Sequence, residues 1–271
     1  VTGAVEGAAH AGTIDAVVPA RNEEATVAGV VAACAGCAYV RQVIVVDDGS
    51  SDATAERAAA AGAKVVLLAG NGSKAHALEA GVAASGADGI LFCDADLVGL
   101  TSRHLDDICL PYVEQRATMS FGIFDYGPIR NPLVLRFPPT SGERVVPRWV
   151  FESIPPAKRD GYTIEVMINE VVCEGRRPFS ARVMGGVTQR TKRDKFGVVE
   201  GYRRTWRMFW QLWALWGVCR KRTYWFYLRS LTVEPATPAA QGRAGRRATT
   251  VTSGGSTTGS SPGSTSVSDR R

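Results

Sequence analysis

Four short apolar runs separated by helical stretches constrain this chain more than any other feature. IDAVV at 14–18, QVIVV at 42–46, KVVLLA at 64–69 and GILFC at 89–93 contain almost no polar residues. A strand with one face in water alternates polar and apolar side chains, whereas a strand covered on both faces does not. These runs therefore predict a mostly parallel sheet flanked by helices. Helical patterns at 24–36, 52–61 and 74–85 fall between them, which is the order of a doubly wound α/β domain. Ligands of such sheets bind beyond the carboxyl ends of the strands, so the residues after each run are where chemistry is expected.

Further along, the pattern predicts a helix over 100–116, a strand over 117–124, helices over 144–153 and 161–175, and a long helical stretch over 198–228. Beyond Val233 the chain is Ser, Thr, Gly, Pro and Ala with a few Arg, too poor in apolar groups to offset its ordering entropy. The expected division is a flexible N-terminus at 1–12, a catalytic domain at 13–200, a Trp- and Arg-rich amphipathic helical segment at 201–232 and a disordered tail at 233–271. With 45% hydrophobic residues, the 271-residue chain can bury a sizeable core. It has no basic N-terminal stretch leading into an apolar run and no apolar stretch of about 18 residues, and its six cysteines are scattered, so a cytoplasmic protein with reduced thiols is expected. The net charge of +6 is unevenly spread: residues 1–139 are acidic and 140–232 basic. That split suits an acidic metal-holding half facing a basic half that meets phosphates or an anionic membrane. No nucleic-acid recognition motif is present.

Three polar clusters follow the buried runs: Pro19-Ala20-Arg21-Asn22-Glu23-Glu24, Asp47-Asp48-Gly49-Ser50-Ser51-Asp52 and Asp94-Ala95-Asp96. Two carboxylates two residues apart at a strand end offer hard oxygen ligands to Mg²⁺ or Mn²⁺, which in turn grips a diphosphate. Lys74 opens a helix, where ammonium, backbone N–H groups and helix dipole all favour an anion. Each cluster alone is weak: D-x-D is common in solvated loops, and Asp52 suits an N-cap. Their joint placement after successive buried strands carries the weight.

The pieces VVPARNEE, VIVVDDGSSDAT, NGSKAHALEAG and FCDADL stand in the order and spacing of glycosyltransferase family 2, which the chain resembles over about residues 13–200. The resemblance implies a GT-A (Rossmann-like) fold and an inverting transfer from a nucleotide-diphosphate sugar, UDP- or GDP-linked. It implies Pro19, Ala20, Glu23 and Asp48 at the nucleoside, Lys74 and Asp94 beside them, and Asp94 and Asp96 as metal ligands, Asp96 the principal one. The second half is similar to the dolichyl-phosphate mannosyltransferase and polyprenyl-phosphate branch in three segments: Thr140-Ser141-Gly142-Glu143-Arg144, Gly161-Tyr162-Thr163-Ile164-Glu165, and Arg190 with Lys195. That likeness implies Ser141 and Arg144 facing an acceptor phosphate, and Arg190 and Lys195 closing on phosphates. Where that branch carries a metal-binding Gln, this chain has Val98, leaving a ligand position to water or substrate.

A lipid-phosphate acceptor is already ionised and needs no base, whereas a soluble hydroxyl acceptor does, and Glu165 is then the candidate, ahead of Asp160. Trp206, Phe209, Trp210, Trp213 and Trp216 recur at helical spacing between arginines. Such a helix suits peripheral contact with the inner face of a membrane; the alternatives are packing on the domain or a homodimer contact. A catalytically silent sugar-nucleotide-binding protein is the third reading.

Overall fold

The computed structural model describes residues 12–70, 73–136, 141–159, 163–189 and 221–234. Its centre is an eight-stranded sheet in the order β10-β8-β6-β7-β4-β1-β2-β3. The first four strands are β1 (Ile14–Ala20), β2 (Val40–Asp47), β3 (Lys64–Leu67) and β4 (Gly89–Phe92). Then come β6 (Met119–Phe124), β7 (Arg144–Pro147), β8 (Phe179–Met184) and β10 (Leu231–Val233). All neighbours are parallel except β7, which runs antiparallel between β4 and β6. A two-stranded ribbon pairs β5 (Leu97–Val98) with β9 (Thr188–Gln189). This is the mostly parallel α/β sandwich expected.

The helices are α1 (Val27–Ala35), α2 (Thr54–Ala60), α3 (Lys74–Ala84), α4 (Ser102–Val113), α5 (Asn131–Val134), α6 (Arg148–Glu152), α7 (Thr163–Glu174) and α8 (Lys221–Ser230). They cover both faces, and the pleat sorts the core. Ala16, Val18, Val45, Leu91 and Cys93 pack with α1 and α4 on one face. Val17, Ile90, Phe92, Phe121 and Val146 pack with α3, α6 and α7 on the other. Each fully buried Val, Leu or Phe contributes about 1.5–3 kcal/mol, so an uninterrupted apolar run is what a doubly covered strand demands. Helix α3 lies so close to β1 that a side chain on Gly81 would collide with Val17. The edge strand β3 departs from this rule: it ends the sheet among the described residues, and its Leu67 is 69% exposed.

Two expectations are corrected. Residues 144–147, predicted as the start of a helix, form the buried strand β7, and α6 begins only at Arg148. The β-branched pair Val145 and Val146 suits a pleated interior, and Pro147 ends the ladder. Strand β8 was not foreseen. The expected amphipathic segment and tail are described only at 221–234, where α8 packs on α7 and β10 extends the sheet beside β8. Tyr227 of α8 is buried against Phe179, its hydroxyl donating to Leu135 O at 3.0 Å, while Trp225 stays 61% exposed. Glu234 then accepts from Arg182, at 2.5 Å, and from Arg116. The Trp-rich stretch 206–216 lies outside the described residues. Among the described residues, no helix is long and apolar enough to cross a membrane.

Candidate donor site

The loops after β1 and β2 are sewn together by their own polar residues. Asn22, in the left-handed region at φ 56°, accepts from Ser51 N at 2.8 Å and donates its own N–H to Ser50 Oγ at 2.9 Å. Thr54 Oγ1 accepts from Glu23 N at 2.8 Å, and Asp47 Oδ1 accepts from Ser50 N at 2.7 Å. Asp52 accepts from Glu24 N at 3.2 Å and Thr54 N at 3.1 Å. Burial opposes its ionisation, but these bonds and that of the Thr54 hydroxyl outweigh burial and hold its carboxyl below the usual range. Asp52 therefore ties two loops to the start of α2 from one place ahead of the N-cap, which is Ala53 and not Asp52 as expected. Asp48 and Glu23 are buried in this stitched edge, with Arg21 Nη1 at 3.9 Å from Asp48 Oδ2.

The next strand ends bring opposite charges together. Lys74 Nζ lies 2.8 Å from Asp94 Oδ1 and 3.1 Å from Glu165 Oε1. Burial alone would lower its proton affinity, but the two carboxylates hold the ammonium well above the ordinary lysine range. Pro19, Lys74, Asp94, Arg144 and Glu165 line one pocket of about 260 Å³, counting its open side, floored by Phe92, Ile164 and Ile168. Glu165 is 5% exposed, and its Oε2 is buried with no hydrogen-bond partner among the described residues. Asp96 is half-buried on the turn leading into β5.

Ser141 and Arg144 do not stand as expected. Arg144 is 1% exposed, and its guanidinium donates to Ser141 O (2.8 Å from Nε), Glu165 O (3.3 Å) and Asn169 Oδ1 (3.1 Å). It clamps the 141–143 turn to α7 while also lining the pocket. The Ser141 hydroxyl is engaged by Glu143 Oε2 at 2.7 Å. Arg190, Lys195 and Asp160 lie outside the described residues.

Sequence reasoning gave no role to four residues that shape this site. Glu143 is fully buried, its Oε1 without a hydrogen-bond partner among the described residues. Burial and the nearby Asp94 push its carboxyl up to about 7, against the opposing pull of Ser141 and Lys74. Gly142 abuts the Asp94 carboxylate. Asn169 receives Arg144, and Gln189 on β9 brings Nε2 to 3.5 Å from Asp94 Oδ2. The signal for Glu143 is weak: it stands between Gly142 and Arg144, two places before the β-branched pair Val145-Val146, which reads as helix within 144–153.

Asp94 and Asp96 fit Mg²⁺ or Mn²⁺ in ligand chemistry, being hard carboxylate oxygens at one strand end, with Asp94 partly open to the pocket. Among the described residues, no group of three or more His, Cys, Asp or Glu side chains is arranged to hold a metal. A cation there would take its remaining ligands from phosphate oxygens and water.

Residues 15–130 match the family model described as Glycosyl transferase family 2. Glucosyl-3-phosphoglycerate synthase of Mycobacterium tuberculosis is 37% identical over 105 residues, covering 35% of this chain and 32% of that protein. The synthase of Mycolicibacterium smegmatis is 42% identical over 101 residues, covering 34% and 33%. The chain thus spans about a third of the length of these curated relatives. Among solved structures, the M. tuberculosis synthase with phosphoglyceric acid superposes with a TM-score of 0.57 at 27% identity, over 66% of this chain and 72% of that one. The same enzyme with Mn²⁺, UDP-glucose and phosphoglyceric acid gives 0.56 and 26%, over the same shares. These relatives correct the expectation of kinship with the polyprenyl-phosphate branch. Residues 15–130 are thus similar in sequence to glycosyltransferase family 2, and the described fold is similar to that of the solved synthase.

Proposed function

We propose that this chain is a metal-dependent glycosyltransferase that moves a hexosyl group from a UDP-sugar, UDP-glucose by similarity, to a hydroxyl of a small anionic acceptor of the phosphoglycerate class. The observation that carries the reading is Lys74 Nζ held between Asp94 and Glu165 at the carboxyl edge of the parallel strands. An ammonium there is placed to bind a diphosphate, and the carboxylate beyond it to receive hydroxyls. The relatives crystallised with Mn²⁺, UDP-glucose and phosphoglyceric acid supply the substrate class.

In this reading the stitched loops carrying Pro19, Ala20, Glu23 and Asp48 hold the nucleoside. Lys74 binds the diphosphate, and Asp94 with Asp96 would hold Mg²⁺ or Mn²⁺, which supplies charge neutralisation for the departing nucleotide. Glu165 accepts a hydrogen bond or proton from a hydroxyl brought into the pocket. Arg190 and Lys195 are assigned to phosphate binding on the sequence resemblance alone.

The test incubates the full chain with Mn²⁺ and UDP-glucose, and separately GDP-mannose, offering 3-phosphoglycerate or polyprenyl phosphate in vesicles. UDP release with a glucosylated phosphoglycerate by mass spectrometry, lost in Asp96→Ala, is the expected result. Transfer only to the vesicle acceptor would return the lipid-phosphate reading. Absence of both nucleotide binding and turnover would remove the enzyme reading altogether.

A further inference from the structure

The same three side chains that identify the donor site also set the order in which it can fill. Lys74 does not point its ammonium into open solvent: it sits on Asp94 at 2.8 Å and on Glu165 at 3.1 Å, with its side chain 32% exposed and theirs 19% and 7%. Asp94 is one of the two carboxylates that would ligate a divalent cation. Its Oδ1 already carries a resident positive charge, and its Oδ2 is hemmed by Gly142 and Gln189. A second cation arriving alone must displace that ammonium or lie beside it, and like charges a few ångströms apart in a partly desolvated pocket repel strongly. A lysine on a flexible four-carbon stem can leave only if another anion takes over its charge. The diphosphate of the donor is that anion.

We infer that Lys74 is the resident counter-ion of the cation site, so that the divalent metal binds tightly only together with the nucleotide diphosphate, which draws the ammonium off Asp94 and Glu165. The inference rests on the donor reading above and deepens it. It also gives Glu165 two states: occupied by Lys74 in the empty site, and released for ligand hydroxyls once the diphosphate is bound. Metal and nucleotide are then positively coupled, and by linkage the coupling is reciprocal.

The coupling is measured by titrating Mn²⁺ into the full chain, following free Mn²⁺ by electron paramagnetic resonance, with and without UDP. In the wild-type chain UDP should tighten Mn²⁺ by at least about fivefold, a coupling of ordinary size. Lys74→Met should bind Mn²⁺ alone more tightly than wild type, bind UDP more weakly, and lose most of the coupling. Lys74→Arg, which keeps the charge, should bind Mn²⁺ alone as weakly as wild type. Glu165→Gln, which leaves Lys74 to Asp94 alone, should weaken Mn²⁺ binding without nucleotide and decides the matter if Lys74→Met does not fold. The inference is overturned if the wild type binds Mn²⁺ with UDP but Lys74→Met binds Mn²⁺ alone no better, or if Glu165→Gln binds it more tightly. Failure of the wild type to bind Mn²⁺ with UDP at all would instead sink the donor reading beneath it.

Discussion

Gly142 lies so close to Asp94 that any side chain on it would overlap the Asp94 carboxylate. The contact joins the turn before β7 to the end of β4, two segments 48 positions apart in the chain, and it fixes where Asp94 can stand between Lys74 and Gln189. Gly142→Ala must push that carboxylate aside. The expected outcome is a stability loss of about 1–3 kcal/mol from overpacking, with a larger proportional loss of Mn²⁺ and UDP affinity. Calorimetric titration beside a denaturant melt checks it; unchanged affinity would show that Asp94 tolerates displacement.

Arg144 works as a structural clamp. Arg144→Met would leave Ser141 O, Glu165 O and Asn169 Oδ1 without their donor in a buried place. Hydrogen bonds to a charged group contribute about 1.5–3 kcal/mol each, so unfolding free energy should fall by about 3 kcal/mol or more. Lys cannot span the same three acceptors and should rescue little. Urea unfolding measures both.

Glu143 gives stability an unusual slope. Its folded carboxyl sits near 7, above the ordinary glutamate value, so the folded state holds a proton that the unfolded chain has lost between about pH 4.5 and 7. Its contribution therefore falls as pH rises through that window. Glu143→Gln, neutral at every pH and still able to face Ser141, should match wild type near pH 5 and exceed it at pH 8 by about 1–3 kcal/mol. Parallel denaturant curves at the two pH values decide it; a variant weaker at pH 8 would refute it.

Asp15 behaves in the opposite sense. It is fully buried and accepts from Arg41 (3.0 Å from Nε, 2.8 Å from Nη2), Gln42 (2.8 Å) and Ser85 (2.6 Å). Burial opposes ionisation, but these bonds outweigh it and lower the carboxyl below its usual value. Such a depressed group stabilises above its unfolded value near 4 and loses that contribution as pH falls through the lower folded value. Asp15→Asn should be less stable at pH 7 and lose less on acidification below about pH 4. Acid titration followed by circular dichroism tests the difference.

The four apolar runs and the polar clusters after them determined the doubly wound plan and the strand edge on which Lys74, Asp94 and Asp96 stand. Those features are local: a strand buried on both faces must be apolar throughout, and the chain order of such strands dictates which loops share an edge. The second half was less legible because its strands are shorter and bordered by charge. Arg144 reads as the start of a helix, and Glu143 just before it has no assigned role, until β7 is seen to run antiparallel through the sheet interior. Only the tertiary structure decided that Arg144 is a clamp, that Glu143 is a buried acid, and that Lys74 rests on Asp94 and Glu165, 91 positions apart in the Lys74–Glu165 pair. Burial and pairing of charges depend on neighbours distant in sequence, and no periodicity along the chain encodes them.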